Sequence, residues 1–522
     1  MASDKIGIVG YGVYIPVHRI KSECIVKARE RKRKDLPQFL DKVRNGLLLR
    51  EKSITTLNED SITIATEAAM NAVEMAGIDP RKIETVAVGS ESKPYAVGTI
   101  ARHVASFLGL GNNVYVADLE GACNAGMQSA AFVESQILSG RIGYGLAIGT
   151  DVAQAPIGDP LEYASGAGAG AFLLGRDDPV ATIVDTAAYS SLTMDFWRRE
   201  GAQVPSHFGR TTVEAYIKHV IGAIEALLLK HPEISLKDFD HVTFHQPSGY
   251  MPMKTCKTLT QEDIDILDHP EVEDRIRITP EFIEERVRPW LRVLDTGNTY
   301  AASTLIATSD ILDHAKPGQN VLAVSYGSGA YTIATWLRVE DAIVQRRGRV
   351  PTVEEYVNRR SDIKLDAYEK LMKMKQGSVR ARLAAPRIVA EIEPYNGHMI
   401  DFTLCNGCER VFYPARDRCL EFDCSGPAEQ HSLPANARLL SAKKLTLRDR
   451  LVSNFDILKQ GKVLVVDASL QDLPPGTELE GLIRRLDDEG KQGLIIYGPT
   501  YRPAFRSKPI LKRTETATVL TR

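Results

Sequence analysis

VYVADLEGACNAGMQSAAFVESQIL, residues 114–138, is the stretch that decides the fold of this chain. It opens with an apolar segment typical of a buried strand and continues, after Gly121, as a small-residue helical pattern. Cys123 lies at the junction. Small neighbours let a large substrate approach its thiol, and a helix N-terminus favours the thiolate over the thiol. A buried structural cysteine is the alternative, because free cysteines usually have that role.

Strand and helix patterns alternate on both sides of this stretch, from residue 5 to about residue 340, as in a layered α/β protein. The chain also repeats itself weakly, because residues 64–91 and 216–247 share one order of helix, charged link, buried strand and polar residue. A duplicated α/β half places corresponding loops around one cleft at the strand ends. Four polar residues fall on those loops and predict a shared site: Glu91, Cys123, His245 and Asn298.

Two glycine clusters follow predicted strands without matching a nucleotide-binding pattern. Gly10-Tyr-Gly12 lacks the third glycine and the helix of a dinucleotide fingerprint, and Pro16 ends the pattern. Gly166-Ala-Gly-Ala-Gly170 lacks the spacing and the lysine of a phosphate loop. We therefore expect both clusters to form tight turns beside the cleft.

Composition limits the class of protein. A chain of 522 residues is too long for one ordinary core, so two or three domains are expected. With 65 basic and 67 acidic residues, charge gives no reason to expect nucleic acid or an anionic membrane as a partner. No apolar run approaches the roughly 18 residues that span a bilayer, and no signal peptide precedes the first strand. These features predict a soluble, cytoplasmic protein.

Four of the seven cysteines fall in one short stretch. Cys405-Asn-Gly-Cys408 and Cys419-Leu-Glu-Phe-Asp-Cys424 form two knuckles separated by ten residues. Four thiolates at this spacing suit a tetrahedral, structural Zn²⁺, with metal-free thiols as the alternative. Residues 342–385 are charged and helical, and short strands with turns follow from about residue 388, which indicates a separate small β-barrel.

Seven ordered motifs carry a resemblance to a known family. Residues 1–375 resemble the 3-hydroxy-3-methylglutaryl-CoA synthases of the thiolase superfamily, particularly the archaeal type. The matching stretches are Gly7–Pro16, Gly89–Glu91, Gly121–Gly126, Met194–Arg198, Phe244–Gly249, Gly297–Tyr300 and Ser325–Gly329. The resemblance implies a duplicated, thiolase-like five-layer αβαβα fold over residues 1–345, with halves of about 1–178 and 179–345. A helical arm would follow over residues 346–387.

The resemblance also implies a reaction and a role for each residue of the cleft. Cys123 would attack acetyl-CoA and carry the acetyl group as a thioester. Glu91 would remove a proton from the acetyl methyl group, for which a carboxylate needs a dry site. His245 would polarise and protonate the ketone oxygen of acetoacetyl-CoA. Asn298 would bond an acyl oxygen, and backbone amides near Cys123 and Gly329 would complete an oxyanion hole.

Further residues are expected around the substrates, which are coenzyme A thioesters. Asp151 and Asp195 match acidic positions of the family that line the site, although helix capping or turn formation explains them equally well. Ser328 and Gly329 belong to the last matching motif. The family usually carries a lysine where this chain has Tyr250, and Lys254 is a candidate to replace it. This departure, with the long acidic segment 260–294, leaves the identity of the substrate open.

The C-terminal part resembles a second family. Residues 388–515 resemble the proteins, once labelled DUF35, that join a rubredoxin-like zinc ribbon to an OB-fold and accompany archaeal thiolases and synthases as separate chains. Here the two would be fused, with the zinc ribbon over residues 388–430 and the OB-fold over 431–522. The ligands of the zinc would be Cys405, Cys408, Cys419 and Cys424.

The resemblance favours a hydroxymethylglutaryl-CoA synthase of the mevalonate pathway of isoprenoid biosynthesis, an acyltransferase without a redox cofactor. A homodimer or higher homo-oligomer is expected, with an acetoacetyl-CoA thiolase as a candidate partner. Three alternatives remain open: a thiolase or ketoacyl synthase III, a synthase acting on another acyl-CoA or a carrier-bound acyl group, and a non-catalytic acyl-CoA-binding scaffold. Thiolases usually carry a second cysteine in the loop that is Tyr326–Gly329 here, and this chain has none.

Overall fold

The computed structural model describes residues 5–152, 155–200, 202 and 204–375. Of the remainder it describes 401–408, 411–412, 419, 424, 426–432, 436–445, 450–457, 461–465, 477–487 and 495–503. The chain forms two compact units, residues 1–380 and residues 381–522. Each helix in the described part of the chain is too short or too polar to cross a bilayer.

The first unit contains an alternation of strands and helices. Its strands are β1 (Gly7–Tyr14), β2 (His18–Lys21), β3 (Glu51–Ile54), β4 (Thr85–Gly89), β5 (Tyr115–Leu119), β6 (Gly145–Val152), β7 (Ala167–Gly175), β8 (Ala181–Thr193), β9 (Phe196–Trp197), β10 (Ser206–His207), β11 (His241–Phe244), β12 (Asn320–Val324), β13 (Gly329–Val339) and β14 (Ser361–Asp362). Its helices are α1 (Ser22–Arg29), α2 (Leu36–Asp41), α3 (Ser61–Ala76), α4 (Ile100–Phe107), α5 (Ala125–Leu138), α6 (Gly209–Lys230), α7 (Tyr250–Thr258), α8 (Glu273–Ile276), α9 (Pro280–Phe282), α10 (Val293–Thr296), α11 (Ser303–His314), α12 (Ala342–Arg346), α13 (Val353–Asn358) and α14 (Leu365–Lys375).

One large mixed sheet shows the duplication that the sequence predicts. Its strand order is β11-β12-β13-β8-β1-β7-β6-β4-β5. On one side β1, β7 and β6 pair antiparallel and β6 pairs parallel with β4. On the other side β8, β13 and β12 pair antiparallel and β12 pairs parallel with β11. The two halves therefore share one topology, and they meet where Gly7 and Ile8 of β1 pair with β8.

Helix α3 packs on this sheet and corrects one prediction. Asp60 caps its first turn by accepting bonds from the Ile62 and Thr63 amides. Gly10 and Gly12 lie within strand β1, not in a turn, and face this helix. A Cβ at either glycine would lie 2.3 or 2.4 Å from a carbonyl oxygen of α3. These glycines permit close helix–sheet packing. Gly168 and Gly170, from the second cluster, likewise lie within a strand, β7.

The second unit is built of strands in its described residues. They are β15 (Asp401–Cys405), β16 (Val411–Phe412), β17 (Ala428–Ser432), β18 (Asn436–Leu445), β19 (Arg450–Ile457), β20 (Gly461–Val465), β21 (Glu478–Asp487) and β22 (Ile496–Pro503). They form an antiparallel sheet of order β16-β15-β17 and a second of order β20-β19-β18-β21-β22. The zinc-ribbon and OB-fold assignments stay predictions, and the expected start of the zinc ribbon at residue 388 lies outside the described residues.

Candidate active site

The thiol of Cys123 and the carboxylate of Glu91 lie in direct contact. Cys123 follows β5 and sits in the 3-10 turn Ala122–Asn124, which runs directly into α5. Glu91 lies two residues beyond the end of the neighbouring strand β4. The thiol donates a hydrogen bond to Glu91 Oε1 at a distance of 2.9 Å. The structure thus brings together two of the residues that the sequence placed on equivalent loops.

Small residues make this approach geometrically possible. A Cβ at Gly89 would lie 2.1 Å from the carbonyl carbon of Ala125. A Cβ at Gly126 or at Gly149 would lie 2.2 Å from the carbonyl oxygen of Ala301. Ala301 belongs to the second half of the unit. The backbone segments around Cys123 therefore pack directly against one another. Larger side chains at these glycine positions would push the two halves of the unit apart.

The surroundings raise the pKa of both members of the pair. Burial, followed by the charge of Glu91 and its hydrogen bond, raises the pKa of the Cys123 thiol. Burial and the neighbouring charge of Asp151 raise the pKa of Glu91 to about 8. The expectation that a helix N-terminus favours the Cys123 thiolate is therefore wrong here. Cys123 is only 7% exposed, and the loss of water together with the nearby carboxylates favours the neutral thiol.

Asp151 anchors the Glu91 loop to both halves of the unit. Its Oδ1 accepts bonds from the amides of Glu91 and Ser92, both at 2.9 Å, and from the Ser90 and Ser92 hydroxyls. Its Oδ2 accepts a bond from the amide of Ala301 at 2.9 Å. Burial raises the pKa of Asp151 to about 6, and these bonds oppose the rise. The turn-forming role left open for Asp151 is the one its contacts show.

Asp195 anchors the loop that follows β12 in a similar way. Its carboxylate accepts bonds from Tyr326 Oη at 2.8 Å, Ser328 Oγ at 3.1 Å and the Gly329 amide at 3.0 Å. Because the Gly329 N–H is bound to Asp195, it does not point freely toward a substrate oxygen. The expected oxyanion donor at Gly329 is therefore engaged, as is the Ser328 hydroxyl.

His245 is a neutral imidazole. It follows β11, its backbone carbonyl accepts a bond from Tyr216 Oη at 2.6 Å, and its side chain is 1% exposed. Burial lowers its pKa to about 3, and its Nδ1 has no hydrogen-bond partner. A neutral ring can donate one N–H bond to a ketone oxygen. It does not act as an imidazolium acid near neutral pH, so the sequence-based expectation of direct protonation needs another proton source.

Asn298 lies at the start of the second half's corresponding loop. Its backbone bonds Ala164 O and Gly166 N, both at 2.7 Å. Its Oδ1 accepts a hydrogen bond from the Tyr300 amide N–H at 2.8 Å, so the NH₂ group of the side chain points away from that amide. Tyr300 has a left-handed φ of 49°. Its hydroxyl Oη forms a hydrogen bond with the hydroxyl of Ser165 at 3.0 Å. Asn298 is thus fixed by the segment that precedes β7 and by its own turn, and its NH₂ group remains available as a donor.

Helix α7 begins at Tyr250, where the family's usual lysine is absent. Tyr250 is 36% exposed, and its amide donates to Leu47 O at 3.3 Å. Lys254 lies one turn further along the same helix and is partly exposed. The acidic segment 260–294 returns beside His245, because the Gln246 side chain bonds Trp290 O at 2.7 Å and the Val293 amide at 3.0 Å.

Arg198 is a contact of the site to which the sequence assigned no role. Its Nη2 donates to the Glu91 carbonyl oxygen at 3.0 Å, and its charge lowers the pKa of Glu91. It ends the matching stretch Met194–Arg198, and that motif was the available signal. Lys93, two residues after Glu91, forms an ion pair with Glu120.

Known proteins show the same organisation in the first unit. Residues 52–174 match the model of the thiolase N-terminal domain. A hydroxymethylglutaryl-CoA synthase of Methanopyrus kandleri is 41% identical over 372 residues, which cover 71% of this chain and 98% of that protein. The chain belongs to the hydroxymethylglutaryl-CoA synthase family. Synthases of this name from Pyrobaculum aerophilum and Archaeoglobus fulgidus are 39% and 40% identical over 71% and 70% of this chain, and over 98% of each relative.

Solved structures of the family share the fold. A structure of MvaS in complex with 3-hydroxy-3-methylglutaryl coenzyme A has a TM-score of 0.63 and 23% identity, covering 71% of this chain and 92% of that one. The HMG synthase of the curacin biosynthetic pathway has a TM-score of 0.61 and 21% identity, covering 72% and 90%. These likenesses show the thiolase-like α/β fold of the first unit.

The second unit holds a four-cysteine cluster that could bind a metal ion. The Sγ atoms of Cys405, Cys408, Cys419 and Cys424 lie within 4.8 Å of one another. Cys405 and Cys424 are 3.4 Å apart, and Cys408 and Cys419 are 3.6 Å apart. Tetrahedral Zn–S bonds of about 2.3 Å place sulfurs about 3.8 Å apart, so the cluster fits Zn²⁺. The shared family region covers the N-terminal part of the chain and leaves this cluster outside it.

Proposed function

We propose that this chain is a hydroxymethylglutaryl-CoA synthase that condenses acetyl-CoA and acetoacetyl-CoA with water to give 3-hydroxy-3-methylglutaryl-CoA and free CoA. The observation that carries the proposal is the 2.9 Å contact between the Sγ of the buried Cys123 and Oε1 of the partly buried Glu91. Family membership at 41% identity supports the same reaction. A non-catalytic scaffold would not need a thiol and a carboxylate held together at the cost of their burial.

Acetylation of Cys123 is the first step. The thiol has a raised pKa, so its proton must leave as the sulfur attacks the acetyl-CoA carbonyl. Glu91 is already hydrogen-bonded to that proton and, with its pKa of about 8, accepts it readily. The proton then passes to the departing CoA sulfur. The products are acetyl-Cys123 and free CoA, and Glu91 returns to its ionised form.

Condensation and hydrolysis follow. Ionised Glu91 removes a proton from the acetyl methyl group, and the resulting enolate carbon forms a bond to the ketone carbon of acetoacetyl-CoA. The alkoxide formed from the ketone takes up a proton from water, and protonated Glu91 releases the proton it removed to water, so the step balances and Glu91 is ionised again. Neutral His245 donates a hydrogen bond to this oxygen, and Asn298 offers its NH₂ group to the acyl oxygen. Water then cleaves the Cys123 thioester and restores the thiol.

A second candidate acceptor is an acyl group on a carrier protein. Tyr250 stands where the family's usual lysine contacts CoA, which removes a cation from the CoA site. One solved structure of the curacin pathway HMG synthase is a complex with acetyl donor-ACP, and it covers 82% of this chain at a TM-score of 0.63. Lys254 places a positive charge one turn further along α7, where it can replace the missing lysine. Our proposal therefore keeps free CoA thioesters as the substrates.

Product analysis decides between these substrates. The purified chain is incubated with acetyl-CoA and a panel of 3-ketoacyl-CoA acceptors, and with acetoacetyl groups on a carrier protein. Our proposal predicts 3-hydroxy-3-methylglutaryl-CoA from acetoacetyl-CoA as the preferred product. Turnover with the carrier-bound acceptor alone would favour the second candidate, and turnover with none of them would contradict the proposed function.

The second unit would be a fused DUF35-type zinc ribbon and OB-fold. Its cysteine cluster and its five-stranded antiparallel sheet support this assignment. The zinc would be structural, because four thiolates leave no open coordination position. It would fix the strands and knuckles that carry Gly407 and Gly426, which approach so closely that a Cβ on Gly407 would lie 2.8 Å from Gly426 Cα.

The expected assembly is a homodimer in the cytoplasm, serving the mevalonate pathway. The edge strand β5 supports a dimer, since it ends the sheet order and its Tyr115 is 58% exposed. An acetoacetyl-CoA thiolase would dock through residues 388–515. Light scattering that gives the mass of one chain would contradict the dimer, and failure of the thiolase to co-purify with the intact chain would contradict the docking.

A further inference from the structure

Asn124 follows the nucleophile and connects the two halves of the first unit. Its amide donates to Gly121 O at 3.1 Å, which closes the turn around Cys123. Its Oδ1 accepts a bond from Ser325 Oγ, at the carboxyl end of β12 in the second half. Ser325 in turn bonds Ile333 of β13 through its hydroxyl and its amide. The Cys123 turn is thus attached through one side chain to a paired strand of the opposite half.

The environment of Asn124 indicates that this bond has a use beyond stability. The side chain is 0% exposed, and its Nδ2 has no hydrogen-bond partner. A buried amide N–H without a partner is destabilising, so an apolar residue of similar size would suit the core better. Gly327 packs directly against it, since a Cβ at Gly327 would lie 2.8 Å from Asn124 Cβ and 2.1 Å from Gly121 O.

The turn itself needs support from outside. Ala122, the residue before Cys123, has a left-handed φ of 48°, a conformation that costs a non-glycine residue energy. Such a residue keeps its conformation only where the surrounding structure over-determines it. On one side the Cys123 thiol bonds Glu91. On the other side the Asn124–Ser325 hydrogen bond ties the turn to the second half, next to the close backbone packing of Gly327.

We propose that Asn124 is a positioning residue, whose bond to Ser325 holds the Cys123 turn so that the thiol stays at hydrogen-bonding distance from Glu91. The expected effect of this bond on acetylation rests on the proposed function. The expected effect on the pKa of the Cys123 thiol does not. Without the bond, the turn relaxes and Sγ moves away from Glu91 Oε1. A displacement of about 1 Å in a reacting group can lower a rate about 100-fold.

Two readouts on Asn124→Ala test the proposal. The first is the rate of Cys123 acetylation by acetyl-CoA, expected to fall about 10- to 100-fold with the KM for acetyl-CoA nearly unchanged. The second is the pH dependence of Cys123 alkylation by iodoacetamide, read by peptide mass spectrometry. Since Glu91 raises the thiol pKa, the alkylation midpoint falls when the two groups separate. The charged and titratable groups that face the thiol are Glu91, Asp151, Asp195, Tyr300 and Tyr326.

Matched variants separate positioning from a general loss of stability. Ser325→Ala removes the other end of the bond, and the double variant is expected to equal either single variant in both readouts. Asn71→Ala deletes another buried asparagine, which bonds Val13 O and Tyr356 Oη, and is expected to lower Tm without shifting the alkylation midpoint. Should Asn124→Ala fail to fold, Ser325→Ala carries the same test.

Two results would overturn the inference: an alkylation midpoint in Asn124→Ala and Ser325→Ala equal to that of the unmodified protein, or additive effects of the two substitutions. Failure of the proposed function would look different. In that case the unmodified protein itself would take up no acetyl group, while the alkylation profiles would still report on Asn124.

Discussion

At the scale of single residues, the chemistry depends on one proton shared between Cys123 and Glu91. Both groups have raised pKa values, so neither is ionised as readily as in water. The 2.9 Å hydrogen bond gives the proton a path from sulfur to carboxylate, and attack on a thioester can draw it across. In the proposed mechanism this arrangement lets the buried thiol act as a nucleophile although no lysine or arginine of the described residues is shown in contact with its sulfur.

Replacement of His245 tests its role as a neutral hydrogen-bond donor. His245→Ala is expected to lower the condensation rate about 100- to 10,000-fold and to leave Cys123 acetylation intact. The pKa of His245 is lowered to about 3, so this ring does not titrate near pH 6.5. The pH profiles of the unmodified enzyme and of His245→Ala are therefore expected to have the same shape around pH 6.5. Single-turnover kinetics with each substrate measure both. His241→Ala, at the start of the same strand, is the control, and an equal loss in that variant would contradict the assignment.

Residue types and their order along the chain predicted that Cys123 and Glu91 lie on neighbouring loops, and the structure brings these two side chains into contact. The assignment of His245 and Asn298 to the same site stays a prediction. The protonation states of Cys123, Glu91 and His245 were not predictable, because burial sets them. The expected thiolate at Cys123 ignored the loss of solvent, which only the packed structure reveals. The same loss turns His245 from an expected acid into a neutral donor.

At the scale of structural elements, two aspartates hold the loops that carry the site. Asp151 binds the loop after β4 and Ala301 before α11. Asp195, which follows β8, binds the loop between β12 and β13. The sequence predicted both residues near the site and left their role open. Their hydrogen bonds cross between segments distant in sequence, and no local pattern reports such bonds.

Asp151→Asn tests this anchoring and its electrostatic effect. The charge of Asp151 raises the pKa of Glu91, so its removal lowers that pKa below about 8. Condensation needs ionised Glu91, so the rate of the unmodified enzyme is expected to rise with pH through about 8, and that midpoint falls in Asp151→Asn. The lost backbone bonds are expected to lower Tm. The pH dependence of kcat/KM and thermal unfolding measure the two effects.

Asp118→Asn is the matched control for this prediction. Asp118 also accepts two backbone N–H bonds, from Ile100 and Ala101 at the start of α4. Its replacement is expected to lower Tm modestly without a change in the pH midpoint. An unchanged or higher midpoint in Asp151→Asn would show that Asp151 does not tune Glu91.

At the scale of the whole molecule, the repeat within the sequence predicted the duplicated strand order of the first unit. The repeat was readable because each half conserves the order of helix, link and strand. Strands β9 and β10, which pair at Trp197 and Ser206, were not predicted, because two-residue strands leave no alternation to detect. The glycine clusters were misread as turns because close helix packing on a strand calls for the same residue.

The cysteine cluster predicts one zinc ion for each chain. Elemental analysis of the purified protein is expected to find it, and Cys408→Ser is expected to lose it. Calorimetry is expected to show that chelation abolishes the unfolding transition of the second unit and keeps that of the first, because the cluster lies within residues 381–522. Cys256→Ser, a buried cysteine of the first unit, should retain the metal. Purified protein without stoichiometric metal would contradict the assignment.

The most direct test of the proposed mechanism is the transfer of label from acetyl-CoA to the protein. Labelled acetyl-CoA is expected to place one acetyl group on Cys123, located by peptide mass spectrometry. Glu91→Ala is expected to retain this labelling at alkaline pH, since removal of the carboxylate lowers the thiol pKa, and to lose condensation with acetoacetyl-CoA. Label on another cysteine in Cys123→Ala, or full condensation by Glu91→Ala, would contradict the account.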